Sequence, residues 1–111
     1  GLLVLNGGRN QQGEQVVPAD WIEDLRNNGD RQAWVDGNFA DMFANGRYRS
    51  CWYDVGDERG SFAAVGIHGQ WLWVDPTNRV IIAKTSSRPA PSDDDETALE
   101  IHILSQIAKA F

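Results

Sequence analysis

The spacing of apolar residues changes along the chain, from a helical period in the first third to a strand-like period in the second half. Residues 2–5 are all apolar and are followed by Asn-Gly-Gly, which is typical of a last helical turn and its stop. Pro18 suits the first position of a second helix, where its missing N–H leaves no bond unmade. The apolar face predicted for that helix comprises Trp21, Ile22 and Leu25.

Two segments around the second helix are less regular. Residues 14–17 are predicted to form a short strand and residues 30–46 a loop. A long loop that carries many large apolar side chains is more often packed against a core than disordered. The side chains expected to anchor this loop are Trp34, Phe39, Met42 and Phe43.

From residue 47 onward the pattern predicts a series of strands joined by short turns. β-branched and aromatic residues dominate the strands, and Gly, Pro, Asn and Asp separate them. Short links imply antiparallel neighbours, because a parallel pair needs a long crossover. The predicted strands are residues 48–55, 61–67, 70–74 and 79–86.

The last element is predicted to be a helix that follows a Pro-Ala-Pro segment. Ser92 is a suitable N-cap, and the acidic residues 93–96 suit the positive end of the helix dipole. The apolar face recurs at intervals of three and four residues and comprises Ala98, Ile101, Leu104, Ala108 and Phe111. The predicted fold class is α+β, an antiparallel sheet covered by a C-terminal helix.

The composition argues against several classes of function. The net charge is −6, from 16 acidic and 10 scattered basic residues, so neither nucleic acid nor an acidic membrane surface is expected as a partner. No apolar run approaches the roughly 20 residues that cross a bilayer. Cys51 is the only cysteine, which excludes an intrachain disulfide and a metal cage built from cysteines.

The segment Gly66-Ile67-His68-Gly69-Gln70 is the most informative one for function. Glycine in strand-like sequence often marks a place where a ligand or another backbone comes close. A bulge or tight bend that His68 merely fills is an equally simple explanation of the same residues.

The order of the elements resembles the C-terminal end of the β-lactamase-like serine hydrolases. That family includes class C β-lactamases, D-alanyl-D-alanine carboxypeptidases, related esterases and 6-aminohexanoate-dimer (nylon oligomer) hydrolases, and the last of these are the most similar. Residues 48–52, Tyr-Arg-Ser-Cys-Trp, look like the family's YGxGW strand. Residues 67–69, Ile-His-Gly, occupy the place of its third motif, Lys-Thr-Gly or His-Thr-Gly, and residues 73–82 are similar to the hairpin that follows.

The resemblance implies a serine hydrolase that cleaves linear amide or ester bonds through an acyl-enzyme. In that family the nucleophile lies in a Ser-x-x-Lys motif and is helped by a Tyr-x-Asn motif, neither of which occurs in this sequence. Residues 1–111 are therefore interpreted as the C-terminal segment of one β-lactamase-like α/β domain, without the part that carries the nucleophile. The expected partners are a small amide or ester substrate, the N-terminal portion of the same enzyme and, for the isolated chain, further copies of itself.

The resemblance also assigns roles to individual residues. The backbone N–H of Gln70, which follows Gly69, would bind the oxyanion, and Ile67 and His68 would shape the acyl pocket. Ile67 stands where the family often has Lys or His, so the pocket lacks a cation for a β-lactam carboxylate, which favours esters and linear amides. Further pocket residues are predicted to be Trp52, Trp71 and Trp73. No metal or organic cofactor is implied.

Two other classes of function remain open. Trp52, Trp71 and Trp73 would also suit a non-catalytic module that binds carbohydrates or aromatic ligands, and Trp71 and Trp73 would share one face of a strand. Their simpler role is to form a core between sheet and helix. A structural or regulatory domain that uses the hydrolase fold without chemistry is also compatible with the sequence.

Two further candidate sites have simpler explanations. Cys51 and His68 could form a catalytic pair, but a free Cys in an aromatic strand is usually a small buried apolar residue. The acidic residues 93–96 could bind calcium, but they lack the alternating spacing and the internal Gly of a calcium loop.

Overall fold

A computed structural model describes all 111 residues and has the predicted α+β architecture. Its elements are the helices α1 (Leu2–Leu5), α2 (Ala19–Asn27) and α3 (Arg31–Val35), the strands β1 (Arg47–Arg49), β2 (Trp52–Asp54), β3 (Phe62–Gly66), β4 (Gln70–Asp75) and β5 (Val80–Lys84), and the helix α4 (Asp94–Lys109). A 3-10 turn, Ile67–Gly69, joins β3 to β4.

The five strands form one antiparallel sheet in the order β1-β2-β3-β4-β5, so that neighbours in space are neighbours in sequence. The ladder between β3 and β4 ends with Gly66 opposite Gln70. The ladder between β4 and β5 begins with Trp71 opposite Lys84. The prediction of antiparallel neighbours from short links is therefore confirmed.

The strand predicted at residues 48–55 is wrong in one respect, because a two-residue turn divides it into β1 and β2. Ser50 and Cys51 form this turn with φ values of 50° and 68°, and two positive φ values match the twist of a hairpin. Such turns usually contain Asn-Gly or Asp-Gly, so Ser-Cys gave no signal. The turn also leaves Cys51 exposed, contrary to the expectation of a buried strand residue.

One face of the sheet forms the larger of two cores with α3, the segment after it and α4. Its buried side chains are Trp34, Phe43, Ala63, Trp71, Trp73, Leu104 and Ala108. The predicted loop at residues 30–46 contains α3, which Asp30 caps by accepting a hydrogen bond from Ala33 N at 3.0 Å. Trp34 and Phe43 anchor the segment as expected, whereas Phe39 is 57% exposed and does not.

The opposite face of the sheet packs against α1 and α2. Its buried side chains are Ile22, Leu25, Phe62 and Val74. The apolar face predicted for α2 is thus confirmed at two of three positions, because Trp21 is 43% exposed. The sheet is covered on both faces, which fixes the register of its alternating side chains.

Several predicted boundaries differ from the structure. Residues 14–17 form no strand, and only Arg9 and Gln15 make an isolated bridge. The N-cap of α4 is Asp93, whose carboxylate accepts from Glu96 N at 2.9 Å, rather than Ser92. Phe111 lies beyond the end of α4 and is 83% exposed, so it is not part of the packed face.

A buried ion pair ties the β2–β3 loop to the β4–β5 turn. Arg59 Nε donates to Asp75 Oδ2 at 2.6 Å, and Asp75 has no exposed surface. Asp75 Oδ1 accepts from Asn78 N at 3.0 Å, and the Asn78 side chain donates to Ala108 O of α4 at 2.9 Å. One carboxylate therefore links two hairpin ends and, through Asn78, the last helix. None of the helices has the length and apolar character needed to cross a membrane.

Candidate functional site

The turn between β3 and β4 is the part of the structure in which most predicted site residues come together. Ile67, His68 and Gly69 form the turn, and Gln70 is the first residue of β4. His68 has φ 60° and Gly69 has φ 75°, so the backbone makes two successive left-handed residues. Ile67 is 67% exposed, whereas Gly69 is buried, so the turn presents Ile67 outward.

His68 is bound to the segment that leads into α4. Its backbone N–H donates to Pro91 O at 2.9 Å, and its Nδ1 lies 2.8 Å from Arg88 O. Because a carbonyl oxygen only accepts, Nδ1 is the donor in this contact. The ring is thereby oriented by residues 88–91, and its predicted part in shaping a pocket stays a prediction.

Gln70 is bound to the segment that follows β5. Its side-chain Nε2 donates to Ser86 O, and Ser86 N donates to its Oε1 at 3.2 Å. The Gln70 side-chain amide therefore pairs with both backbone hydrogen-bonding groups of Ser86, as a residue on a neighbouring strand would. The predicted role of the Gln70 backbone N–H toward an oxyanion stays a prediction.

Beneath the turn lies an ionic cluster that the sequence did not indicate. Lys84 Nζ donates to Gly69 O at 2.7 Å and to Glu100 Oε1 at 2.8 Å. Trp71 Nε1 donates to Glu100 Oε2 at 2.7 Å. These residues come from β4, β5 and α4, and no spacing rule joins such distant positions, so only the fold brings them together.

The environment of Glu100 favours its charged form. Burial alone would raise the pKa of this carboxyl, but the hydrogen bonds from Lys84 and Trp71, with the charges of Lys84 and Arg88, lower the pKa below its ordinary value of 4.5. Glu100 is therefore a carboxylate at neutral pH, and its pairing neutralises Lys84.

The tryptophans predicted to line a pocket are mostly core residues. Trp73 has no exposed surface and Trp71 is 4% exposed, and both lie on the same face, as expected, but inside the larger core. Trp52 is half-buried, with its ring 5.4 Å from that of Phe62. Trp71 and Trp73 are therefore unavailable as a shared exposed surface for a carbohydrate, and the predicted place of Trp52 in a ligand pocket stays a prediction.

An aromatic cleft near the sheet edge was not predicted. It has a volume of about 420 Å3 and is lined by residues of α3, the segment after it, β1 and β2, among them Trp34, Phe39, Tyr48 and Tyr53. Burial is the main cause that raises the pKa of Tyr53. The sequence placed these aromatics in a loop and in one long strand, and so did not bring them together.

The other candidate sites gain no support from the geometry. Cys51 is exposed at the β1–β2 turn, and the His68 ring is bound to Arg88 O, so no catalytic pair is formed. No cluster of three or more His, Cys, Asp or Glu side chains could hold a metal ion. The acidic residues 93–96 cap and begin α4.

No family model matches the chain, but comparison with known proteins gives relatives both in sequence and in structure. Over all 111 residues the chain is 37% identical to the 6-aminohexanoate-dimer hydrolase of Paenarthrobacter ureafaciens, of which it spans 28%. A solved structure from Bacillus anthracis, named provisionally as a 6-aminohexanoate-dimer hydrolase, is similar with a TM-score of 0.73 and 28% identity, over 96% of this chain and 26% of that one.

The antiparallel sheet, its covering helix and the turn after β3 thus have the fold of the corresponding segment of this solved structure. More particularly, the chain is related in sequence and in structure to the 6-aminohexanoate-dimer hydrolases, as its motifs indicated. It spans about a quarter of the length of each of these relatives.

Proposed function

We propose that residues 1–111 form the substrate-side segment of a serine hydrolase that cleaves linear amide or ester bonds through an acyl-enzyme. The nucleophile and its base would come from the N-terminal portion of the same enzyme, because neither Ser-x-x-Lys nor Tyr-x-Asn occurs here. The name of the Paenarthrobacter relative supports a 6-aminohexanoate oligomer as the substrate.

The turn Ile67–Gly69 carries this proposal. It joins two inner strands of a fold whose relatives are hydrolases, and residues 68–70 are each hydrogen-bonded to a neighbouring segment while Ile67 is left exposed. A backbone amide fixed in this way suits an oxyanion, because the donor needs no reorganisation when charge develops in the transition state.

The strand boundaries favour Ile67 over Gln70 as the residue whose backbone N–H donates to the oxyanion. The third motif of the family belongs to a strand, but Ile67–Gly69 lies in a turn, after β3 has ended at Gly66. The strand triplet that ends in Gly is residues 64–66, Ala-Val-Gly. If that triplet takes the place of Lys-Thr-Gly, the amide just after its Gly belongs to Ile67.

The charges around the turn support an ester or linear amide rather than a β-lactam as the substrate. The triplet at residues 64–66 contains no Lys or Arg, and neither does the turn at residues 67–69. Lys84 lies close to the turn, but its charge is paired with Glu100 at 2.8 Å. A β-lactam carboxylate would find no unpaired Lys or Arg here.

The two candidate donors can be separated by proline substitution in the full-length product of the gene. Ile67→Pro removes the amide N–H, and Gly66, with φ −114° and ψ 160°, has the extended backbone that a residue before proline needs. Ile67→Ala is the matched control, because it removes the side chain and keeps the N–H. We expect Ile67→Pro to lower kcat by about 10²–10³ relative to Ile67→Ala in ester and amide hydrolysis.

Gln70→Pro is the reciprocal variant. If it abolishes activity while Ile67→Pro and Ile67→Ala have equal rates, Gln70 is the donor and the assignment of Ile67 is wrong. If none of the three lowers kcat, the turn does not bind the oxyanion, and the proposal for this segment fails.

The outer face of α4 is the surface that we expect the N-terminal portion to cover. Leu99, Ile103 and Ile107 recur every four residues on the side away from the core and are 58%, 45% and 41% exposed. A helix with apolar residues on two sides is normally buried on both. The remaining three quarters of each relative's length provides ample chain for this.

A further inference from the structure

The turn is held in place by the last helix, which is remote from it in sequence. Glu100 of α4 accepts from Lys84 Nζ at 2.8 Å through one oxygen and from Trp71 Nε1 at 2.7 Å through the other. Lys84 Nζ then donates to Gly69 O at 2.7 Å. A continuous chain of hydrogen bonds therefore runs from α4 to the backbone of the turn.

The fit between Gly69 and this cluster is close. A Cβ at Gly69 would lie 2.9 Å from Glu100 Oε1 and 3.3 Å from Lys84 Nζ, closer than side chains normally approach. Because Gly69 has no Cβ, the ionic pair lies directly against the backbone of the turn, and an added Cβ would force the ends of the Glu100 and Lys84 side chains to shift. Lys84 and Glu100 are therefore in direct contact with the backbone of Gly69, whose carbonyl Lys84 binds.

The carbonyl bound by Lys84 is decisive for the orientation of the turn. Gly69 O and the amide of Gln70 belong to one rigid peptide plane, so a bond that fixes the carbonyl also fixes that amide. His68 and Gln70 are bound to residues 86–91 on the other side. With both sides held, the position of Ile67 and its amide is fixed as well.

We propose that Glu100 is a positioning residue for the hydrolase reaction, acting through Lys84 on the Gly69 carbonyl. This inference rests on the proposed function, because it assumes that an amide of the turn binds the oxyanion. The oxyanion exists in the transition state and not in the bound substrate, so loss of the positioning lowers kcat and leaves KM nearly unchanged.

The test compares two variants of helix α4 in the full-length product. Glu100→Gln removes the charge and keeps the shape, and we expect it to lower kcat about tenfold with KM within about twofold, since small misplacements of catalytic groups are strongly felt in rate. Glu96→Gln is the matched control: Glu96 lies one turn away, is paired with Arg88 at 3.1 Å and touches neither Lys84 nor Trp71. We expect this control to keep the wild-type kcat and KM.

Substitutions at Lys84 test the positioning role a second time, by their effect on kcat. Lys84→Met keeps the length of the side chain and removes the donor to Gly69 O, so it should reproduce the loss in kcat. The double variant with Glu100→Gln should lose no more than either single variant, because both act through one contact. Lys84→Arg keeps a long cationic donor and should recover part of the rate.

The outcomes separate this inference from the proposed function. A wild-type protein without ester or amide hydrolysis overturns both. An active wild type in which Glu100→Gln and Lys84→Met match Glu96→Gln overturns the positioning role alone. A loss in which KM rises as much as kcat falls, together with a lower Tm, also overturns it, because general destabilisation then explains the effect.

Discussion

Gly69 is the residue at which the turn and the last helix fit most closely. It has φ 75°, and an added Cβ would lie 2.9 Å from Glu100 Oε1 and 3.2 Å from Ser86 Oγ. A left-handed conformation at a residue other than glycine is unfavourable by about 1–3 kcal/mol, and the contacts add to it. We therefore expect Gly69→Ala to lower the free energy of unfolding by about 3 kcal/mol, measured by urea denaturation.

Gly7 is the matched control for this substitution. It also has a positive φ, 63°, but no atom lies within 4 Å of an added Cβ. Gly7→Ala should therefore lose only the backbone contribution, about 1 kcal/mol. Equal losses at the two positions would show that the packing against Glu100 and Ser86 contributes nothing.

The sequence identified the residues of the turn but not what holds them. Two glycines around His68 marked residues 66–70 as a place of close approach, and the structure puts Gly69 against three side chains. No sequence pattern singled out Lys84 or Glu100, because each is an ordinary charged residue in its own strand or helix. Their pairing depends on how α4 lies on the sheet, which no local pattern specifies.

Among the elements, the β2–β3 and β4–β5 hairpins depend on the ion pair of Arg59 with Asp75. Asp75 is completely buried and the Arg59 side chain is 16% exposed. We expect Asp75→Asn to destabilise the protein by about 3 kcal/mol, because it leaves a mostly buried guanidinium without its main partner. Chemical denaturation measures this loss.

Asp57→Asn is the control substitution for Asp75→Asn, because Asp57 is the second carboxylate beside Arg59. Its Oδ2 also lies 3.0 Å from Arg59, but the side chain is 22% exposed and its Oδ1 accepts from two backbone N–H groups, which an asparagine can still satisfy. Asp57→Asn should therefore destabilise by about 1 kcal/mol or less. A larger loss for Asp57→Asn than for Asp75→Asn would contradict the role given to Asp75.

Elements with a strong period were predicted well, and those defined by unusual turns were not. The helix α4 and the strands β3, β4 and β5 follow from periodicity and from the Gly, Pro and Asp residues between them. The division of residues 48–55 by Ser50-Cys51 was missed because the two residues are atypical of their turn. The helix α3 was missed because its five residues bury mainly Trp34, too few to show a period.

For the whole molecule, the resemblance found in the motifs agrees with both relatives, although the chain spans about a quarter of each. The order of the elements carried that inference better than any single motif did. The burial of Trp71 and Trp73 follows from the whole fold and not from any local pattern. The sheet is covered on both faces, and both tryptophans lie in the larger of the two cores that result. From the sequence alone the same residues suited a pocket equally well.

The measurement that tests the central claim most directly is the hydrolysis of three substrates by the full-length product of this gene. These are the linear dimer of 6-aminohexanoate, a p-nitrophenyl ester and nitrocefin. We expect turnover of the amide and the ester, and much slower turnover of nitrocefin, because no unpaired Lys or Arg beside the turn would bind its carboxylate. A full-length product that hydrolyses neither the amide nor the ester would contradict the account.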